Sequence, residues 1–285
     1  MRVLRLALFV CFALASVNLL ADTNKQQLRI VALAPHIVEN LYAIGAGAQI
    51  VGTVEYADFP EAANTIPRLG GHQGIQIEKL LALKPDLVLA WKTGSKIDDL
   101  ALIERMGVEI SYSEANEVEK VADELLRLGK ITGREESAKH AANQFQQKLR
   151  AIKAKQQAKS SVAIFYQLWP EPMMTVSKNT WINQLIEICH GSNVFANNQT
   201  DYPLISIENV IVAKPEVIIL PEEKSKIKQP VIDWQQWPEV PAVKLNQFIQ
   251  VNADLLHRFT TRMLDGLDDM CNKIDQSRAV IEDAK

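Results

Sequence analysis

Beyond residue 21 the chain has no stretch of about 18 uninterrupted apolar residues, which excludes a membrane-spanning helix there and predicts a soluble mature protein. It has no basic stripe of the kind a phosphate backbone requires, so nucleic acid is excluded as a partner. The G-x-S-x-G elbow, the phosphate-binding P-loop and the H-E-x-x-H pair are all missing. No nucleophile with its base stands out, and no enzymatic activity is expected. Gly45, Gly47 and Gly52 imitate a dinucleotide loop, but the first two follow a helical pattern rather than a strand.

The apolar run that the chain does have is at its front. Arg2 and Arg5 precede Leu6 to Ala15, and Ala21 is a small residue suited to a cut. The run is short for a span and has no stop-transfer flank, so residues 1–21 read as a cleaved signal peptide. Val10 before Cys11 is too large for a lipidation site. Without Arg2 and Arg5, 29 basic residues face 34 acidic ones, a net of −5. Cysteine is scarce, at three residues, and losing Cys11 leaves Cys189 and Cys271. In an oxidising compartment an even pair suggests a disulfide, worth about 4–5 kcal/mol by chain entropy, with two unpaired core thiols as the alternative.

Strand and helix patterns alternate along the mature chain. Leu28–Leu33 is a short apolar run broken by Ala34-Pro35; Val38, Leu41, Tyr42 and Ile44 then recur at helical spacing. A strand at Ile50–Val54, a helix near Ile77–Leu83 and a strand at Asp86–Trp91 follow. Such alternation predicts parallel α/β sheets. Residues 116–158 contain no proline, with only Gly129 and Gly133 as breakers. The pattern restarts after Gly133 and predicts a helix near Glu135–Ala158, roughly 35 Å long. With α/β sequence on both sides, this helix reads as a bridge. Beyond it lie a strand at Val162–Leu168, a helix at Trp181–Ile188, a strand at Val217–Leu220 and a largely helical Ala253–Ile281. His36 and Glu39, one helical turn apart, read as surface polar residues rather than a metal pair.

A self-match at an offset of 130 residues organises the rest. Residues 77–90 read I-E-K-L-L-A-L-K-P-D-L-V-L-A and residues 207–220 read I-E-N-V-I-V-A-K-P-E-V-I-I-L. In each copy a glutamate opens a short helix, where it complements the positive end of the helix dipole. A Lys-Pro pair ends the helix, because the residue before proline is pushed out of the α region. A continuous apolar run follows, as in a strand covered on both faces. Recurrent helix–proline–strand junctions explain the Lys-Pro and the strands, but not the two glutamates six residues before each lysine. Two copies flanking a long helix predict two similar lobes. As an equivalent pair, Glu78 and Glu208 are candidates for docking on a two-fold partner. The same register sets His72 opposite Tyr202, in the loops where α/β proteins bind ligands.

The motifs A-P-H-I-V-E-N-L (34–41), Y-A-D-F-P (56–60), H-Q-G-I-Q-I-E (72–78) and L-K-P-D-L-V-L-A-W (83–91) carry a family likeness. So do E-I-C-H-G-S-N-V-F (187–195), S-I-E-N-V (206–210) and D-M-C-N (269–272). Over its whole mature length the chain resembles the periplasmic substrate-binding proteins of cobalamin ABC importers, in the group with a helical backbone that also serves ferric siderophores and haem. The resemblance implies an α/β protein of two Rossmann-like lobes with parallel sheets, 22–133 and 159–285, joined by a single long backbone helix, 134–158, with the ligand cleft between lobes and limited closure. It implies a Cys189–Cys271 disulfide and a monomer that delivers a corrinoid, bound as cargo and not as a cofactor, to a dimeric permease that Glu78 and Glu208 meet. Ligand-facing residues would be Tyr56, His72, Trp91, Tyr202, Asp254 and Arg258. Trp169, at a predicted strand end, joins them on its position alone. The family pattern has tryptophan at 72 and 202 and an aromatic at Leu255, so this cleft is more polar. His72 near the axial face of cobalt would fit a cobalamin site, and His72 or Tyr202 binding iron would equally fit haem or another chelate. The rival readings are a haem or ferric-siderophore receptor and a non-transport sensor.

Overall fold

The computed structural model describes residues 27–71, 73–114, 116–222 and 231–285. The signal segment 1–21 and His72 lie outside the described residues. Two four-stranded parallel sheets account for the α/β pattern. The first contains β1 (Ile30–Ala32), β2 (Ile50–Thr53), β3 (Leu87–Trp91) and β4 (Ile110–Ser113), in the order β2-β1-β3-β4. The second contains β5 (Val162–Tyr166), β6 (Gly191–Asn193), β7 (Val217–Glu222) and β8 (Phe248–Asn252), in the order β6-β5-β7-β8. The two orders are the same, as the repeat predicts. Ile30, Val31 and Ala32 are fully buried, as are Val88, Leu89 and Ala90, which fits a sheet covered on both faces.

The helices are α1 (Pro35–Ala43), α2 (Ile77–Ala82), α3 (Ile97–Arg105), α4 (Lys120–Thr132), α5 (Glu135–Gln156), α6 (Trp181–Ile188), α7 (Ile207–Ala213), α8 (Pro241–Lys244), α9 (Ala253–Leu256) and α10 (Met263–Asp283). Pro35 stands in the first turn of α1, where its missing N–H costs nothing. The repeat's helices end in a way the proline rule alone does not give. Lys84 and Lys214, each just before a proline, adopt left-handed backbone with φ of 47° and 49°. Each lysine N–H turns back to the helix it ends, Lys84 to the Leu81 carbonyl at 3.0 Å and Lys214 to the Val210 carbonyl at 3.1 Å. The left-handed turn costs about 1–2 kcal/mol in a residue with a Cβ.

The bridging helix is α5, 22 residues or about 33 Å long. Ala138, Ala142, Phe145, Leu149 and Ile152 form its buried stripe, while Glu135 and Glu136 in the first turn and Lys153 and Lys155 in the last complement its dipole. Gly133 ends α4 in the left-handed conformation, as a breaker should. Gly129 is not a breaker. It lies inside α4, where a Cβ would meet that of Ala138 at 2.3 Å, so the glycine sets how closely α4 and α5 pack. One apolar cluster runs from Ile30 and Leu89 through Phe145 and Leu149 of α5 to Ile164 and Ile219 of the second sheet. Helix α10 joins through Ile274 and through ion pairs from Lys148 to Asp265 and from Lys155 to Asp268. A junction packed as a core resists large hinge motion.

Candidate functional site

The carboxyl ends of the first sheet's strands enclose a pocket of about 160 Å³. Tyr56, Trp91, Glu55, Lys96 and Asp99 are among its lining residues, all from the first lobe, so it forms one wall of a site. Tyr56 lies beyond β2 with φ of 63° and is 63% exposed, an unusual position for a large aromatic side chain. Trp91 ends β3 over Gly94, where a Cβ would meet the ring at 1.9 Å. Its edge packs on His36 with centroids 5.5 Å apart and on Trp181 at 6.3 Å. Trp181, from the second lobe, donates its indole N–H to the Leu256 carbonyl at 3.0 Å. Sequence reasoning read Trp181 only as a helix start and missed this link between lobes.

Asp254 and Arg258 come together, but Arg258 is not free to face a ligand alone. Its Nη1 donates to Glu39 Oε1 at 2.8 Å and to Asp58 Oδ1 at 2.7 Å, and its Nη2 to Asp254 Oδ1 at 3.4 Å. Four residues on, before α10, Arg262 Nη1 stands 3.5 Å from Glu39 Oε2, and its guanidinium lies 3.5 Å over the Phe59 ring centroid. Asn40 donates to the Phe259 carbonyl at 3.0 Å. His36 and Glu39, expected on the surface, are instead buried, because α1 is enclosed along most of its length. Burial pushes the Glu39 carboxyl up against the pull of Arg258 and Arg262. Burial also takes His36 down to about 4, with Arg258 adding to the shift and Glu124 opposing it.

Trp169 and Tyr202 are not in the first-lobe pocket. Trp169 belongs to a small hairpin with Met173 and Met174 beyond β5, which ends at Tyr166, and its indole N–H is used by the Glu171 carbonyl at 3.0 Å. Tyr202 is 41% exposed in the loop before α7, and partial burial, helped by Asp201, pushes its hydroxyl up. Glu78 and Glu208 are exposed in the first turns of α2 and α7. Asn209 caps the Ser206 N–H at 2.9 Å, and the Ser206 hydroxyl holds the Glu208 carboxyl below its ordinary range. Among the described residues no group of three or more His, Cys, Asp or Glu side chains is placed to hold a metal ion. Among them, too, no helix is long and apolar enough to cross a membrane. Cys189 and Cys271 form a disulfide linking the end of α6 to α10.

Two parallel α/β lobes on a packed helix, with aromatic and charged side chains at their strand ends, define a bilobal ligand-binding protein. The chain belongs to the periplasmic binding protein family, whose model matches residues 30–255. It is similar to the vitamin B12-binding protein of Vibrio parahaemolyticus, 34% identical over 257 residues that cover 90% of this chain and 92% of that protein. Its fold is similar to the crystal structure of the periplasmic vitamin B12-binding protein of Vibrio cholerae, with a TM-score of 0.80 and 34% identity over 87% of this chain and 97% of the other. The periplasmic haem-binding protein of Vibrio cholerae, 20% identical with a TM-score of 0.74 over 87% of this chain and 98% of the other, shares the fold alone.

Proposed function

We propose that this protein is the periplasmic substrate-binding component of an ABC importer, capturing cobalamin or a related corrinoid between its lobes and delivering it to a dimeric inner-membrane permease. The observation that carries the reading is similarity to vitamin B12-binding proteins along nearly the whole chain, at 34% identity. The site supports it: Tyr56 and Trp91 offer aromatic surface to a flat macrocycle, and the Asp254–Arg258 pair offers hydrogen bonds to its amide arms. His72, Tyr202 and Trp169 complete the proposed rim. On this reading residues 1–21 are removed on export. Lobes 22–133 and 159–285 then act as a monomer on the 134–158 helix, and Glu78 and Glu208 meet the permease. The corrinoid is cargo, and the protein uses no cofactor and performs no chemistry.

Titration calorimetry of the purified protein with cyanocobalamin, cobinamide, haemin and a ferric hydroxamate tests this directly. Heat with a corrinoid alone is expected. Heat with haemin alone would move the assignment to haem, with Tyr202 or His72 as the iron ligand.

A further inference from the structure

The polar cluster around Arg258 joins two segments of the first lobe to one segment of the second, and its members are not equivalent. Glu39 is 2% exposed in its side chain, Arg258 12% and Asp58 53%. Glu39 and Asp58 accept from the same Arg258 nitrogen, at 2.8 and 2.7 Å. Removing Arg258 from Glu39 would take away the closest hydrogen-bonded partner of a buried carboxylate and leave it only the more distant Arg262, which is unfavourable. Removing it from Asp58 exposes a carboxylate already half in water, at little cost. Arg262 and the Asn40 bond to the Phe259 carbonyl brace Glu39's side of the arrangement.

We propose that Glu39 is the positioning residue of this site: from inside the first lobe it fixes Arg258 and Arg262 of the second, and Asp58 is the exchangeable partner that a ligand's hydrogen-bond acceptor replaces. Glu39 touches no ligand. It ties the lobes by holding Arg258 from its buried side, while Asp58 holds the same nitrogen from its half-exposed side. The exchange at Asp58 rests on the corrinoid reading above; the tie between lobes does not.

The test uses the mature protein with Glu39→Gln, Glu39→Ala and Asp58→Asn, measured in two ways. Equilibrium dialysis reads cyanocobalamin affinity. Nitroxide labels on Glu61→Cys and Lys178→Cys, one on each lobe, read the interlobe distance without any ligand. Glu39→Ala should broaden the distance distribution and weaken cyanocobalamin by about tenfold or more, and Glu39→Gln, which keeps the shape but not the charge, by about threefold. Asp58→Asn should leave the distance unchanged and tighten binding by about threefold, an opposite sign that a merely structural role does not produce. If Glu39→Ala does not fold, Glu39→Gln carries the decision in both measurements. An unchanged distance distribution in the Glu39 variants overturns the tie. Weakened binding in Asp58→Asn overturns the exchange. Should the unmodified protein not bind cyanocobalamin, the functional reading and the exchange fail together, and the distance measurement still decides the role of Glu39.

Discussion

The Tyr166 hydroxyl and His257 Nε2 stand 2.9 Å apart at the end of β5. Burial takes the His257 ring down to about 4, the same direction and depth as His36. Both rings are therefore neutral in the folded protein at pH values where the unfolded chain has begun to protonate them.

The sign of the pH dependence follows. Between about 6.5 and about 4 the unfolded state binds more protons at these two sites, so stability falls as pH is lowered, by up to about 3 kcal/mol for each histidine. Above about pH 6.5 the contribution is complete. Denaturant unfolding from about pH 7 to about pH 4.5 should show a shallower decline in His257→Gln than in the unmodified protein. Coincident slopes would refute the assignment.

Trp91 and Tyr56 should separate packing from recognition. Trp91→Ala removes contacts with His36 and Trp181 and is expected to cost about 2–4 kcal/mol of stability as well as ligand affinity. Tyr56, 63% exposed, should lose affinity on change to alanine while stability moves by less than about 0.5 kcal/mol. Paired calorimetry and thermal melting check both. Equal destabilisation by the two variants would contradict this division.

Glu78→Ala combined with Glu208→Ala should leave cyanocobalamin affinity unchanged and lower the melting temperature only slightly, since both side chains are exposed and give up little more than a favourable place at a helix start. Uptake through the cognate permease in proteoliposomes should fall by about tenfold or more. Unimpaired uptake would end the docking assignment.

Cys189 and Cys271 are fully buried, and replacing both with alanine should destabilise the protein by about 2–5 kcal/mol. Chemical denaturation with and without a reductant measures it. In the unmodified protein the reductant should bring the midpoint toward that of the double variant.

What was legible in the sequence was local. A glutamate, a helix, a Lys-Pro pair and an apolar strand lie within fourteen residues of each other, so the pattern announces each lobe's half-sheet, and the identical strand orders follow from it. The cluster around Arg258 was not legible in the same way. Its partners Glu39 and Asp58 are 219 and 200 residues away, and nothing in either neighbourhood marks the pairing. His36 and Glu39 were misread because a polar pair on a helix ordinarily faces water, whereas α1 is covered on nearly every side. Likewise Gly129 signals a break by its identity, and only the approach of Ala138 shows that it serves packing.

The Cys189–Cys271 bond spans 82 positions of the chain. Tyr202, Glu208, Asp254 and Arg258 all fall inside that ring, and Trp169 alone among the second lobe's candidates falls outside it. A protease that nicks any loop between the two cysteines therefore frees no fragment. After a single cut both pieces stay covalently attached, so the clipped protein runs as one species under non-reducing conditions and separates into two on reduction.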